Sequence, residues 1–290
     1  MLKNVIETMR PKQWIKNLVI FAGIVFDRQL GQLQPMLRVL AATAIFCLIS
    51  GLTYTINDTL DLEADRLHPQ KRNRPIASGR LSIHHAKILA LILALIAFPA
   101  AFALSTQFGW LCVIYTLLML AYSKWLKKIM LIDVLVIAVG FVLRVAAGVV
   151  VIKVNYFSPW LFVLTTLLAL FLGFGKRLSE LKLLENQAGE HRKVLDGYTI
   201  PLLNQYLSVM LSAILITYCL YTFSAHPDGG HYAMMLTIPF VFYGIFRYMY
   251  IIQNSNLAAA PEEVLLRDRP LIIAIVLWAL SATIVLYFLP

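Results

Sequence analysis

Asn57, Asp58, Asp61 and Asp65 gather oxygen-bearing side chains in an acid-poor chain. Four of its fifteen Asp and Glu residues fall between Asp58 and Asp65, directly after an apolar run from Leu37 to Ile56. A charged residue near hydrocarbon costs roughly 2.5–3.5 kcal/mol on insertion scales, so such a cluster needs a reason. On a helix, Asp58, Asp61 and Asp65 share one face, with Asn57 beside Asp61. Hard oxygen donors aimed at one point suit Mg²⁺, which takes its remaining ligands from water and substrate phosphates. The competing reading is a solvated helix end.

Just beyond stand Lys71, Arg72 and Arg74, then Gly79 and Arg80, with Pro69 and Pro75 expected to stop the helix. Guanidinium forks beside a carboxylate-held metal are what a polyphosphate requires. Near the start, Arg10-Pro11-Lys12-Gln13-Trp14-Ile15-Lys16-Asn17 combines an interfacial tryptophan with polar groups a turn further in. Lys16 and Asn17 read equally as a headgroup anchor or as contacts to an anionic ligand. Asp133 and Arg144 lie eleven residues apart on one face of a span. Arg144 is too deep for an anchor and is expected to face the interior, pairing with a carboxylate or binding a phosphate. Lys176 and Glu180 are spaced as an i,i+4 pair, with Arg177 pointing elsewhere. Cys47, Cys112 and Cys219 have no metal-ligand spacing and read as small apolar residues. The histidines, His191 among them, lack any triad or zinc arrangement, and no glycine-rich phosphate loop is present.

The elements that carry these groups are set by composition. The 290 residues are 60% hydrophobic and 14% charged, with mean hydropathy +0.77, too apolar for a soluble domain. The expected architecture is an all-α polytopic membrane protein, a bundle of about nine transmembrane helices whose cytoplasmic loops hold the site. The candidate spans are 13–31, 37–57, 84–104, 108–125, 131–152, 157–176, 199–223, 231–252 and 270–289, each near the length that crosses about 30 Å of hydrocarbon. The first is the weakest, broken by Lys16, Asn17 and Asp27. No cleavable signal is expected at the start. A net charge of +10 resembles a nucleic-acid signal, but nearly all of it falls on one side of alternating spans. Only Arg28, Arg38 and Lys153 remain on the other. The positive-inside rule then puts the N-terminus and the Asp cluster in the cytoplasm of a cell's inner membrane, and the C-terminus outside. The outer loops near 105–108, 155–158 and 225–230 are short, and no linker divides the chain, so residues 1–290 read as a single domain. Polar loops after the second and sixth spans point to a duplicated four-helix unit.

Asn57-Asp58-x-x-Asp61-x-x-x-Asp65 followed by Arg74-Pro75 and Gly79 resembles the first aspartate-rich motif of the UbiA-type intramembrane prenyltransferases. The resemblance covers the whole chain and implies Mg²⁺ and diphosphate binding by that motif. The family's second aspartate-rich motif is replaced by Lys176-Arg177-x-x-Glu180. With Arg10-Pro11-x-Gln13-Trp14-x-Lys16-Asn17 and Gly140-Phe141-x-x-Arg144, this resembles the decaprenyl-phosphate phosphoribosyltransferase branch. What the branch implies is transfer from 5-phosphoribosyl 1-diphosphate to a polyprenyl phosphate, on the way to cell-wall arabinan precursors. Asp58, Asp61 and Asp65, with Asn57, would hold the metal. Lys16, Arg72, Arg74, Arg144, Lys176, Arg177 and Glu180 would contact substrate. The implied partners are that donor, the lipid acceptor and the bilayer; nucleic acid is not among them, and a homo-oligomer is left open. One rival is a UbiA-type enzyme moving a polyprenyl group from its diphosphate to an aromatic or other acceptor, for which the second aspartate pair is wanted. Another is an ion-coupled carrier, which the apolar outer halves of the spans disfavour.

Overall fold

In the computed structural model, residues 1–68, 71–152, 154, 159–185, 193–224, 232–254, 264 and 267–288 are described. Pro69, Lys153, His191 and the outer loops at 155–158 and 225–230 lie outside these residues. Every regular element among them is helical. A short α1 (Leu2–Thr8) leads into a 3-10 segment (Pro11–Phe21) and α2 (Ala22–Phe26). Then come α3 (Leu33–Leu60), α4 (Leu62–Leu67), α5 (Ile83–Leu104), α6 (Thr106–Lys124) and α7 (Ile132–Ile152). They are followed by α8 (Pro159–Glu185), α9 (Ile200–Ser224), α10 (Ile238–Asn254) and α11 (Arg269–Phe288).

Eight described helical stretches are long and apolar enough to cross a membrane, and each overlaps an expected span. The exception is the first, expected over 13–31. Instead of one α-helix, the chain builds a 3-10 helix from Pro11 to Phe21 and one further α turn to Phe26. Pro11 at its first position sets φ for a helical start without losing a needed N–H. Because a 3-10 helix rises about 2.0 Å per residue, these sixteen residues reach about 29 Å, close to the hydrocarbon thickness.

The chain forms two compact units, Met1–Val136 with Gly140–Phe157, and Ile137–Val139 with Ser158–Pro290. In the first, α3 buries Val39, Ala42, Phe46 and Ile49, and α5 buries Leu93, Ala97 and Ala101 along one stripe. They close on Ile20, Ile24, Phe108, Cys112 and Ala147. Leu91, Leu95 and Ile96 of α5 stay exposed, as expected of a helix bathed by acyl chains. Glycine permits the tightest approach here. A Cβ on Gly148 of α7 would lie 1.9 Å from the Ile20 carbonyl oxygen, and one on Gly23 would lie 3.1 Å from the Val149 nitrogen. Two backbones therefore pack against each other directly. In the second unit, Phe171 stacks obliquely on Tyr248 and Phe174 on Tyr206. Trp278 Nε1 donates to Tyr218 Oη at 2.7 Å.

Candidate active site

The Asp motif sits where α3 gives way to α4. Asp61 occupies the junction with φ −92° and ψ 9°, so the face expected to carry three aspartates on one helix is interrupted at its middle member. Backbone bonds from Asp61 N to Asn57 O (2.9 Å) and Asp65 N to Asp61 O (2.8 Å) keep the turn wound. Asp58 and Asp65 are buried, at 2% and 3% exposure. Both turn to the same guanidinium: Arg74 Nη1 lies 3.2 Å from Asp58 Oδ1 and 2.5 Å from Asp65 Oδ2. Asp61 goes elsewhere, taking Lys127 Nζ at 2.5 and 2.6 Å with its two oxygens.

Arg74 is delivered by the loop between α4 and α5. Gly79 takes φ +78°, which an L side chain rarely adopts, and lets the loop turn back. Leu62, Ile76, Ala77, Leu81 and Ala86 form a small apolar core beneath it, with Val5 of α1 packed on top. Arg80 ties α1 down through Glu7 at 2.8 and 2.9 Å, and Asn4 Nδ2 donates to the Arg80 carbonyl at 2.9 Å. The hydrogen bond from Arg80 holds the Glu7 carboxyl below its ordinary pKa of 4.5, against the opposing effect of burial. Ser82 caps α5, accepting from His85 N at 3.3 Å.

Arg10, which the sequence presents only as part of a basic motif, closes the cluster. It links α1 to the 3-10 segment with φ 53° and ψ 64°, a left-handed conformation that costs a non-glycine residue about 1–3 kcal/mol. Its Nη2 donates to Asp58 Oδ1, and its guanidinium lies 4.8 Å from the Tyr54 ring centroid. Lys127, in a short 3-10 turn between α6 and α7, was likewise visible only as topological charge. Its nearness to Asp61 depends on a contact 66 residues apart, which no local pattern encodes. Arg72 is exposed, and Lys16 and Asn57 are partly buried.

Arg144 is 5% exposed and its hydrogen bonds run to neutral groups. Nε donates to Asn17 Oδ1 at 2.8 Å, Nη1 to the Gly140 carbonyl at 2.9 Å and Nη2 to Tyr115 Oη at 2.6 Å. The rings of Phe46, Tyr115 and Phe141 stand 5.6, 4.8 and 5.4 Å away. Asn17 in turn reaches Cys47 Sγ at 3.3 Å and Ser50 Oγ at 3.4 Å. The carboxylate, one of the two expected partners, is replaced by amide, phenol and aromatic faces, which soften a buried cation without neutralising it. Tyr115 was not foreseen, being one aromatic in an apolar span. In the second unit, Arg177 is 2% exposed and ion-pairs with Glu180 three residues on. This corrects the expectation that Arg177 points away from that carboxylate, since i,i+3 neighbours share a face as well as i,i+4 ones.

Among the described residues no three His, Cys, Asp or Glu side chains form a ready-made metal cage. Basic groups are interleaved between the acids instead. The donor set still fits Mg²⁺ chemically, because Asp58 and Asp65 offer hard oxygens to one shared partner and Asp61 stands between them in sequence. Three carboxylates with guanidinium and ammonium groups threaded through them gather at the end of apolar, membrane-length helices. Residues 18–268 match the UbiA prenyltransferase family, to which this chain belongs.

Its relatives include the decaprenyl-phosphate phosphoribosyltransferase of Mycolicibacterium smegmatis. The two are 32% identical over 306 residues, covering 99% of this chain and 94% of that protein. The enzyme of the same name from Corynebacterium glutamicum is 32% identical over 295 residues, covering 99% and 88%. The fold matches a UbiA homolog from Archaeoglobus fulgidus bound to GPP and Mg²⁺, with TM-score 0.71 at 18% identity over 98% of this chain and 99% of the other.

Proposed function

We propose that this integral membrane protein is a polyprenyl-phosphate phosphoribosyltransferase. It moves the 5-phosphoribosyl group from 5-phosphoribosyl 1-diphosphate to a decaprenyl-type phosphate, releasing diphosphate. The observation that carries this reading is the near full-length relationship to enzymes named for that reaction, in a chain whose second motif is Lys176-Arg177-x-x-Glu180. An acceptor that brings a phosphate and a donor that carries a third one at ribose C5 call for cations where the prenyl-transferring members of the family use acids. On this reading all 290 residues act as one catalytic domain, with the site at the cytoplasmic face of the inner membrane.

The residues divide the work as follows. Asp58, Asp61 and Asp65, with Asn57, would hold Mg²⁺, which when bound supplies charge to the leaving diphosphate. Arg74, joined by Arg10 and Lys127, binds diphosphate oxygens from the same end of the bundle. Arg72, Lys16 and Arg144 are assigned to the remaining phosphates. Lys176, Arg177 and Glu180 are assigned to substrate by motif alone. Departure of diphosphate leaves an oxocarbenium-like C1, which a lipid phosphate oxygen attacks. That oxygen is already ionised at neutral pH, so no side chain has to remove a proton.

The test is transfer of label from 5-phosphoribosyl 1-diphosphate to an organic-soluble product by purified protein with decaprenyl phosphate and Mg²⁺. Asp58→Asn and Asp61→Asn should each abolish it while the protein still elutes as a folded species. Label that stays aqueous with wild-type protein, while polyprenyl diphosphate and 4-hydroxybenzoate yield product, would establish the prenyltransferase rival instead.

A further inference from the structure

Arg10, Arg74 and Lys127 come from three separate segments, the start of the 3-10 segment, the α4–α5 loop and the α6–α7 link, and each closes on the Asp motif. Arg10 reaches Asp58 from a left-handed backbone, so the placement of that side chain outweighs a local conformational penalty. Formal charge within the set is balanced, three carboxylates against three bases. Asp58 and Asp65 are almost wholly buried, where uncompensated charge is penalised heavily.

We propose that these three bases are exchangeable counter-ions, which rest on the carboxylates and pass to phosphate oxygens when metal and diphosphate arrive together. This rests on the reading of the site as one that binds a metal and a diphosphate. A divalent cation alone would leave the set two positive charges in excess. A diphosphate alone, carrying roughly −3 from two ionised phosphates, would leave it strongly negative. Together they return it close to neutrality. Metal and diphosphate therefore bind cooperatively, and each raises the affinity of the other by the same factor. Arg10 and Lys127 thereby become ligand-binding residues alongside Arg74.

The experiment is titration of the purified full-length protein with Mn²⁺, followed by electron paramagnetic resonance, with and without inorganic pyrophosphate and with no donor or lipid. Free Mn²⁺ should bind the wild type weakly. Arg74→Gln and Arg10→Gln should each tighten free Mn²⁺ binding by about tenfold or more, because one competing positive charge is lost. The same variants should lose most of the pyrophosphate enhancement. Arg74→Lys keeps the charge and should stay weak. Lys127→Gln, whose partner Asp61 is more exposed than the other two acids, makes the least demand on the fold and should also tighten binding. Unchanged or weaker free Mn²⁺ binding in the Gln variants would overturn the exchange. Pentose transfer to lipid without this response would sink the exchange alone; the response without transfer would sink the assigned reaction alone.

Discussion

Arg144 is a buried cation satisfied by groups that must be met in three directions at once. Lysine is a point donor on a flexible stem and cannot reproduce a planar fork. Arg144→Lys should leave the Asn17 amide oxygen or the Tyr115 hydroxyl without its donor, at about 1–3 kcal/mol. The check is a lowered thermal midpoint of the purified protein. The Asp58–Arg74–Asp65 bridge makes a complementary case. Arg74→Ala places two buried carboxylates beside each other, and adding Asp65→Asn to it should recover part of the lost stability. At this scale the sequence was most legible where spacing is local. Asp58, Asp65 and Arg74 fall within seventeen positions and could be read together. Lys127 and Tyr115 meet their partners only through tertiary packing, so charge type and hydropathy said nothing of their role. Arg10 stands in a legible motif, but its partner Asp58 lies 48 residues away and only tertiary packing brings them together.

Among the elements, the α-helical spans were readable because a run of about twenty apolar residues has few other fates in lipid. The 3-10 segment was not. Its period of three places Trp14, Asn17 and Ile20 in line, whereas a 3.6-residue period spreads them over about a third of the helix circumference. It is held by backbone contact at Gly148, so Gly148→Ala should force α7 and this segment apart. Loss of transfer and a fall of several degrees in thermal midpoint are expected, whereas Gly31→Ala, with open space around it, should be neutral. The other handle on Arg10 is α1, latched by Glu7 and Arg80. Because the folded pKa of Glu7 lies below 4.5, the latch is complete above that pH and is lost as pH falls through the folded value. Glu7→Gln should mimic the acid state at neutral pH. Hydrogen exchange of the Leu2–Thr8 amides reads both, and unchanged protection in Glu7→Gln would show that Asn4 and Val5 suffice.

For the molecule as a whole, the distribution of lysine and arginine predicts termini on opposite faces, which calls for an odd number of crossings. Eight long helices alone would give an even number. We propose that the residues from Pro11 to Phe26 supply the difference, being long enough in their stretched form. Reporter fusions should therefore read the N-terminus as cytoplasmic and the C-terminus as external. Both on one side would show that Pro11–Phe26 does not cross.

A thread of three residues per turn has a steep pitch and a coarse angular step. Removing one residue between Asn17 and Ile20 would swing everything upstream through a third of a circle and draw it in by about 2 Å. Asn17 would leave Arg144 and Arg10 would miss its carboxylate, although hydropathy would hardly change. The N-terminal stretch thus acts as a spacer of fixed gauge, whose residue count decides where the first guanidinium comes to rest.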